Sequence, residues 1–283
     1  MSFDASDTDA LVLQRVRASG SSFYWAMRLL DERRRRAMYA VYAFCRDVDD
    51  IVDEPGTEFA KQAALQAWRD DIAALFAGGV PHQPLAGALL GPIRSFDLQQ
   101  EDFQSVIEGC AMDAGAGVVR PSMAVLDLYC DRVASAVGRL SVRVFGATGP
   151  SALDVAYHQG RALQLTNILR DVAVDAAIGR LYLPDELLAE RGIGGTDIPQ
   201  ILAHPALPEV CRALGAKAQD HFDRARAAMA KCPPGAMRPA VVMLEMYAAI
   251  LRRCAADGWQ PSTIPPSLPK AAKIWCAIRY GLL

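Results

Sequence analysis

The stretch "AMYAVYAFCRDVDDIVD" at residues 37–53 joins an apolar run to four aspartates and one arginine. Its apolar residues recur at helical spacing, so the pattern predicts one long helix over residues 32–53. Asp31 and Glu32 stand at the start of that helix, where negative charge suits the positive end of the helix dipole. The breaker "EPG" at residues 54–56 ends the helix. The stretch therefore predicts an amphipathic helix with carboxylates at its C-terminal end.

The helical pattern continues along the whole chain. Alanine, leucine and arginine dominate, and runs of β-branched residues are scarce. Further helices are predicted at residues 8–18, 22–30, 58–77, 84–95, 99–112, 122–145, 150–175, 184–191, 207–230, 235–257 and 268–281, with a surface loop at 191–206. There is no repeat of fixed period and no low-complexity linker. The most economical architecture is one all-α domain over residues 1–283.

Bulk composition excludes several classes of protein. The 283 residues are 52% hydrophobic and carry a net charge of -2, so no basic excess indicates a nucleic-acid partner. Seven cysteines without a CxxC pair are typical of reduced thiols in a cytoplasmic protein. The N-terminus "MSFDASDTDA" does not resemble a signal peptide, and the most apolar segment, 240–251, is too short to span a bilayer. We expect a cytoplasmic protein, attached to a membrane at most peripherally.

The first acidic pair lies at the end of the opening stretch. Asp49 and Asp53 are four residues apart and share a helix face, with Asp50 one step around and Arg46 extending the stripe. Neighbouring carboxylates repel each other, whereas a bound hard cation reverses that cost. Mg²⁺ prefers oxygen ligands and often joins one or two carboxylates to substrate phosphates. Taken alone, the pair is explained equally well by a solvated acidic helix end.

A second polar face repeats this spacing more than a hundred residues later. In "RALQLTNILRDVAVD" at residues 161–175, one helix face carries Gln164, Asn167, Asp171 and Asp175. Buried amides among so many leucines need partners, which favours a ligand site over a solvent face. Two carboxylate pairs facing each other across a cavity would hold several Mg²⁺ ions around a diphosphate.

These landmarks together resemble the squalene/phytoene synthase family. The motifs are "SGSSFYWAMRLL", "YAFCRDVDDIVD", "YCDRVASAVG", "LQLTNILRDVAVD", "GRLYLP" and "SLPKAAKIW", and in that order they span nearly the whole chain. The resemblance implies an all-α prenyl synthase bundle with a central apolar cavity. It also implies dependence on several Mg²⁺ ions and head-to-head coupling of two prenyl diphosphates.

The resemblance also assigns roles to residues. The metal-binding residues would be Asp49, Asp50, Asp53, Asn167, Asp171 and Asp175, the two aspartate pairs being catalytic. Diphosphate or cavity contacts would come from Ser22, Arg46, Gln164, Arg180, Tyr182, Tyr247 and Lys270, although the C-terminal basic cluster is thinner here. Tyr129 would handle the proton, with the released diphosphate as the alternative acceptor. Asp113, in "GCAMD", is explained by a helix cap, and the family often has a similar "G-x-x-M-D" there.

Within the family, residues 19–30 and 129–146 most resemble the bacterial, hopanoid-associated type. That type couples two farnesyl diphosphates to presqualene diphosphate, without NADPH, and passes the product to squalene-forming enzymes. Phytoene, dehydrosqualene or squalene synthesis remain alternatives, as do a class I terpene cyclase and a non-catalytic helical relative acting in binding or assembly. The arginine run at 33–36 is explained by a solvated helix face, with contact to anionic lipid as the alternative.

Overall fold

The computed structural model describes residues 5–18, 22–115, 117–233 and 235–281, and within them the chain is helical, with no strand. The first helices are α1 (Ala5–Ala18), α2 (Ser22–Met27), α3 (Glu32–Asp53), α4 (Glu58–Phe76), α5 (Pro84–Gly87), α6 (Leu90–Phe96) and α7 (Gln100–Ala111). The others are α8 (Met123–Cys130), α9 (Ala136–Phe145), α10 (Pro150–Ala177), α11 (Asp185–Ala189), α12 (Ile198–Leu202), α13 (Leu207–Met229), α14 (Arg238–Ala256) and α15 (Lys270–Gly281). The predicted all-α fold class is confirmed.

The opening stretch forms α3 with the predicted bounds. The Asp31 carboxylate caps the helix by accepting a hydrogen bond from the backbone N–H of Arg34 at 2.9 Å. Phe44 is fully buried and packs edge to face against Trp68 and Phe103, with ring centroids 5.1 and 5.2 Å away. These contacts on the core side of α3 leave its other stripe for the cavity described below.

Three predicted elements differ in detail. The helix predicted at 84–95 is two short helices, α5 and α6, and the loop predicted at 191–206 contains α12. The helix predicted at 122–145 is interrupted by a π-helical turn, Asp131–Ser135, between α8 and α9. Periodicity cannot detect one widened turn, because the apolar spacing on either side stays helical.

The π-helical turn is held by close packing on two sides. A Cβ on Gly160 of α10 would lie 2.6 Å from the Cα of Ser135, and one on Gly109 of α7 would lie 2.6 Å from Cγ1 of Val133. Real Cβ atoms do not approach so closely, so both positions require glycine. The turn is therefore fixed between α7 and α10, and it begins two residues after Tyr129.

The arginine run lies in the first turns of α3. Each guanidinium contacts a neighbour in the chain: Arg33 stacks on Phe96, Arg34 pairs with Asp31, Arg35 donates to the Leu30 carbonyl and Arg36 pairs with Glu32. These contacts agree with a solvated helix face, and contact with lipid stays a prediction. In the part of the chain that the structure describes, no helix combines the length and hydropathy needed to cross a bilayer.

Candidate active site

A cavity of about 500 Å³ lies at the centre of the bundle, within the size range of small-molecule sites. Its apolar lining includes Phe23, Ala26, Met27, Met38, Val41, Val133, Val137, Val142, Phe145, Val155, Leu163 and Met243. Along both α3 and α10 the lining changes from apolar to acidic towards the C-terminal end of the helix. Arg180, just beyond α10, pairs with Asp53 at the end of α3, so the acidic ends of the two helices meet.

The first predicted pair lies in this lining, and both carboxylates have arginine partners. Arg46 Nη1 lies 3.0 Å from Asp49 Oδ2, and Arg180 Nη1 lies 2.7 Å from Asp53 Oδ1. Burial, reinforced by the Asp53 charge, nevertheless raises the pKa of Asp49 to about 6. Asp50 lies outside the lining, where Arg46 and Arg15 contact its two oxygens at 2.6 and 3.2 Å. A metal-binding role for Asp50 stays a prediction.

The second predicted pair lines the cavity from α10. Arg170 Nε donates to Asp171 Oδ1 at 2.8 Å. Burial and the neighbouring Asp171 charge raise the pKa of Asp175 to about 7. The Asp53 charge also contributes to the rise in the pKa of Asp175, so carboxylates of the two pairs interact electrostatically across the cavity.

Asn167 completes this face in an unusual way. Its Oδ1 is buried without a hydrogen-bond partner, while its Nδ2 lies 3.4 Å from Gln164 Oε1. Tyr247, on α14, lines the cavity together with Asn167 and Arg170, and burial raises the pKa of its hydroxyl. An orphaned buried oxygen is costly, and this one lies beside two carboxylates, so the three groups together are suited to accept a hard cation.

The donor set suits Mg²⁺ held jointly with a ligand. Within the described ranges, no group of three His, Cys, Asp or Glu side chains forms a ready-made metal cage. Mg²⁺ seldom uses such cages; it keeps waters and joins one or two carboxylates to substrate phosphates. The four cavity aspartates and the Asn167 oxygen fit this mode, because all of them offer hard oxygen atoms to the same end of the cavity.

Tyr129 and Tyr182 form a buried group with Asp113 at the cavity wall. The Tyr129 hydroxyl donates to Asp113 Oδ2 at 2.8 Å and the Tyr182 hydroxyl donates to Asp113 Oδ1 at 2.7 Å. The two rings stack with centroids 5.0 Å apart. Burial and the Asp113 charge raise the pKa of both phenols. The C-cap of α7 is Met112, and both oxygens of Asp113 accept hydrogen bonds from the tyrosines, so a helix cap does not explain Asp113.

The remaining predicted residues divide into three groups. Gln164, Arg180, Tyr182 and Tyr247 line the cavity. Lys270 is exposed at the start of α15 and lies outside the lining, and Ser22 begins α2 with a side chain outside the described residues. Sequence reasoning missed Arg170 and undervalued Asp113. Arg170 precedes Asp171 directly, yet helical spacing places neighbours in sequence on different faces, so the pattern did not single it out.

Comparison of the sequence with known proteins identifies its family. The chain matches the family described as squalene/phytoene synthase over residues 16–272. It is 47% identical to presqualene diphosphate synthase from Rhodopseudomonas palustris, covering 94% of this chain and 95% of the relative. The same-named protein from Zymomonas mobilis is 48% identical, covering 93% and 89%. A chloroplastic phytoene synthase from an Oncidium hybrid is 33% identical, covering 92% and 64%.

Solved structures with the same fold include two relatives. A dehydrosqualene synthase superposes with a TM-score of 0.85 at 25% identity, covering 97% of this chain and 95% of the other. A squalene synthase from Alicyclobacillus acidocaldarius gives a TM-score of 0.81 at 28% identity, covering 90% and 96%. Both similarities extend over nearly the full length of each chain.

Proposed function

Because the chain belongs to the squalene/phytoene synthase family, we propose that it couples two farnesyl diphosphates head to head to give presqualene diphosphate and free diphosphate. One structural observation carries the proposal: two carboxylate pairs, on α3 and α10, meet at one end of a cavity whose remainder is apolar. An acidic end suits a metal-bound diphosphate, and an apolar remainder suits isoprenoid chains. Identity of 43–48% with relatives named presqualene diphosphate synthase, against 31–33% with phytoene synthases, supports this product.

The acidic end would bind the diphosphate groups. Asp49, Asp53, Asp171, Asp175 and the Asn167 oxygen would hold Mg²⁺. When bound, the ions would supply the positive charge that stabilises a leaving diphosphate. The proposal thus explains why four carboxylates and an amide oxygen without a hydrogen-bond partner lie at one end of the cavity.

Three arginines lie among the carboxylates. Arg46, Arg170 and Arg180 each donate to an aspartate there. Guanidinium donors at this position would contact diphosphate oxygens and orient the leaving group. The guanidinium groups would contact the diphosphate directly, whereas the carboxylates would bind its metal ions.

The reaction would proceed in the apolar part of the cavity. The C1–O bond of the donor breaks, leaving an allylic cation, and the 2,3 double bond of the acceptor attacks that carbon. Loss of one proton from the same carbon closes the cyclopropane, so two substrates yield one presqualene diphosphate, one diphosphate and one proton. The valine, leucine and methionine walls exclude water, which would otherwise capture the cation.

A product assay tests the proposal. The protein is incubated with farnesyl diphosphate and Mg²⁺, with and without NADPH, and the products are identified by mass spectrometry and NMR. We expect a cyclopropyl C30 diphosphate under both conditions. Squalene formed with NADPH, or a C40 product made from geranylgeranyl diphosphate in preference, would replace this proposal by another activity of the family.

Further parts of the proposal concern the setting of the reaction. We propose a single domain over residues 1–283, no NADPH requirement, a cytoplasmic location and transfer of the product to a squalene-forming enzyme. The hydrophobic core supports the single domain, because buried residues from Val12 in α1 to Ala277 in α15 belong to one cluster. Limited proteolysis that released a stable half of the chain would contradict it.

A further inference from the structure

We infer that Asp113 takes up, through the hydroxyl of Tyr129, the proton released when the cyclopropane closes. The inference rests on the proposed function and extends it to a residue that acts through another. Asp113 is 7% exposed, Tyr129 is 6% exposed and Tyr182 is 5% exposed. The group they form is therefore shielded from bulk water, and its hydrogen bonds are not shared with solvent.

Hydrogen-bond direction carries the argument. A carboxylate only accepts hydrogen bonds, so both phenol hydrogens point at Asp113, at 2.8 Å from Tyr129 and 2.7 Å from Tyr182. The Tyr129 hydroxyl also lies 3.4 Å from the Tyr182 hydroxyl, a longer contact than its bond to Asp113. With its hydrogen on Asp113, the Tyr129 oxygen retains a lone pair for the cavity that its side chain lines. A neutral phenol is a very weak base, and burial with the nearby Asp113 charge opposes its ionisation. Tyr129 can accept a proton only by passing its own proton on.

The transfer balances in atoms and charge. The C–H bond at the donor's C1 breaks, and its electron pair closes the third bond of the cyclopropane. The proton binds the Tyr129 oxygen while the original phenol proton moves to Asp113 Oδ2. Tyr129 ends neutral, Asp113 becomes a neutral acid, and its proton passes to solvent when the cavity opens for product release. Burial raises the pKa of Asp113, which makes it a better acceptor than an exposed carboxylate.

Tyr182 has a separate part in this arrangement. Its hydroxyl occupies the second Asp113 oxygen, and its ring stacks on Tyr129 at 5.0 Å. The stacking and the shared acceptor fix the orientation of the Tyr129 ring. Tyr182 is a positioning residue, so its removal should weaken the transfer less than removal of Tyr129.

The test measures free diphosphate released for each molecule of cyclopropyl C30 diphosphate. Asp113→Asn keeps the shape of the side chain but cannot take the proton. We expect the ratio to rise several-fold above the wild-type value of one, because the C1–O bond still breaks, while the coupled cation persists without its proton acceptor until the cavity opens and water captures it. Product formation should fall on the order of 10²-fold, the usual contribution of a general base. Tyr129→Phe should give the same ratio, and the double variant should be no worse than Tyr129→Phe alone.

Controls separate this role from a structural one. Asp113→Glu keeps an acceptor and should restore part of the coupling, Tyr182→Phe should change the ratio least, and Asp70→Asn on the exposed face of α4 should change nothing. Thermal unfolding verifies that each variant folds. An unchanged ratio in Asp113→Asn, or a raised Mg²⁺ requirement with one-to-one coupling, would overturn the inference. A wild-type protein without head-to-head product would instead refute the proposed function, and the inference with it.

Discussion

Asp175→Asn should stabilise the substrate-free protein while removing its activity. Asp175 shares the acidic end of the cavity with Asp171 and Asp53, and its pKa is raised from 3.8 to about 7 by burial and then by these charges. The unfolded chain ionises first, so between these pH values the folded state holds a proton that the unfolded state has lost. Rising pH therefore destabilises the folded chain in this range, and the full cost is present above the folded pKa.

The raised pKa of Asp175 sets the free-energy cost of ionising this side chain in the folded chain. Each pH unit between the folded and unfolded pKa corresponds to 1.36 kcal/mol, so full ionisation of Asp175 costs about 4 kcal/mol. The side chain is only partly buried, and water and salt screen the cost to about 2 kcal/mol. Asparagine has nearly the same shape and no charge. The variant should be about 2 kcal/mol more stable at pH 8 and nearly equal to wild type at pH 4.

Urea unfolding followed by circular dichroism measures both values. Asp154→Asn is the matched control, because Asp154 is an exposed aspartate on the same helix. That control should change the free energy of unfolding by less than about 0.5 kcal/mol at pH 8. If Asp175→Asn is less stable than wild type at pH 8, or gains as much stability at pH 4 as at pH 8, ionised Asp175 does not destabilise the folded chain.

The other predictions concern catalysis, the buried ion pairs and the core. Asp49→Asn and Asp171→Asn should each lower product formation at least about 10²-fold, with cooperative unfolding retained. The control Glu54→Gln, exposed at the end of α3, should keep its activity. Near-normal turnover in either aspartate variant would contradict a catalytic role for that aspartate. Chelation of divalent cations should abolish product formation, and added Mg²⁺ should restore it; full activity after exhaustive chelation contradicts the metal assignment. Arg161→Met should lower the free energy of unfolding in urea by about 2 kcal/mol, because Asp127 loses its bidentate partner and the Ser135 hydroxyl loses a buried donor, while Asp127 is half exposed and Asp131 keeps Arg139. A loss below about 0.5 kcal/mol would show that these groups do not depend on Arg161. Phe44→Ala should lower the free energy of unfolding by about 4 kcal/mol, because the ring is fully buried between the rings of Trp68 and Phe103. A loss of about 1 kcal/mol would mean that the core repacks to fill the cavity.

Sequence periodicity predicted most helices and the facing carboxylate pairs. The spacing of Asp49 with Asp53, and of Asp171 with Asp175, decides which side chains share a face, and helical geometry needs no tertiary information to give that result. The N-cap at Asp31 was equally local, because its carboxylate contacts a backbone N–H three residues later. Local chemistry was sufficient for these features.

Features made by contacts between distant segments were not predictable in the same way. Asp113 belongs to the buried group only because Tyr129 and Tyr182, from other parts of the chain, donate hydrogen bonds to it. Helical spacing places Asp47 off the face shared by Asp49 and Asp53, so the sequence alone makes it a natural control for mutation. The structure shows that Trp68 Nε1 donates to it at 3.0 Å and Arg15 pairs with it at 2.9 Å, so its loss would disturb the core and Glu54 is the better control.

The π-helical turn is also a tertiary feature. Its sequence continues a helical pattern, and the widened turn depends on the close approach of Gly109 and Gly160 from two other helices. No single-sequence signal distinguishes these glycines from others in the chain. The turn places the side chains that follow Tyr129 in the cavity wall, so the missed feature shapes the proposed site.

A crystal structure of the protein with Mg²⁺ and a farnesyl thiodiphosphate that cannot ionise would test the proposed metal site. We expect metal ions bound between the Asp49–Asp53 and Asp171–Asp175 pairs, with the diphosphate on those ions and the isoprenoid chain in the apolar part of the cavity. Metal ions or diphosphate bound elsewhere, with both carboxylate pairs still held only by their arginines, would contradict it.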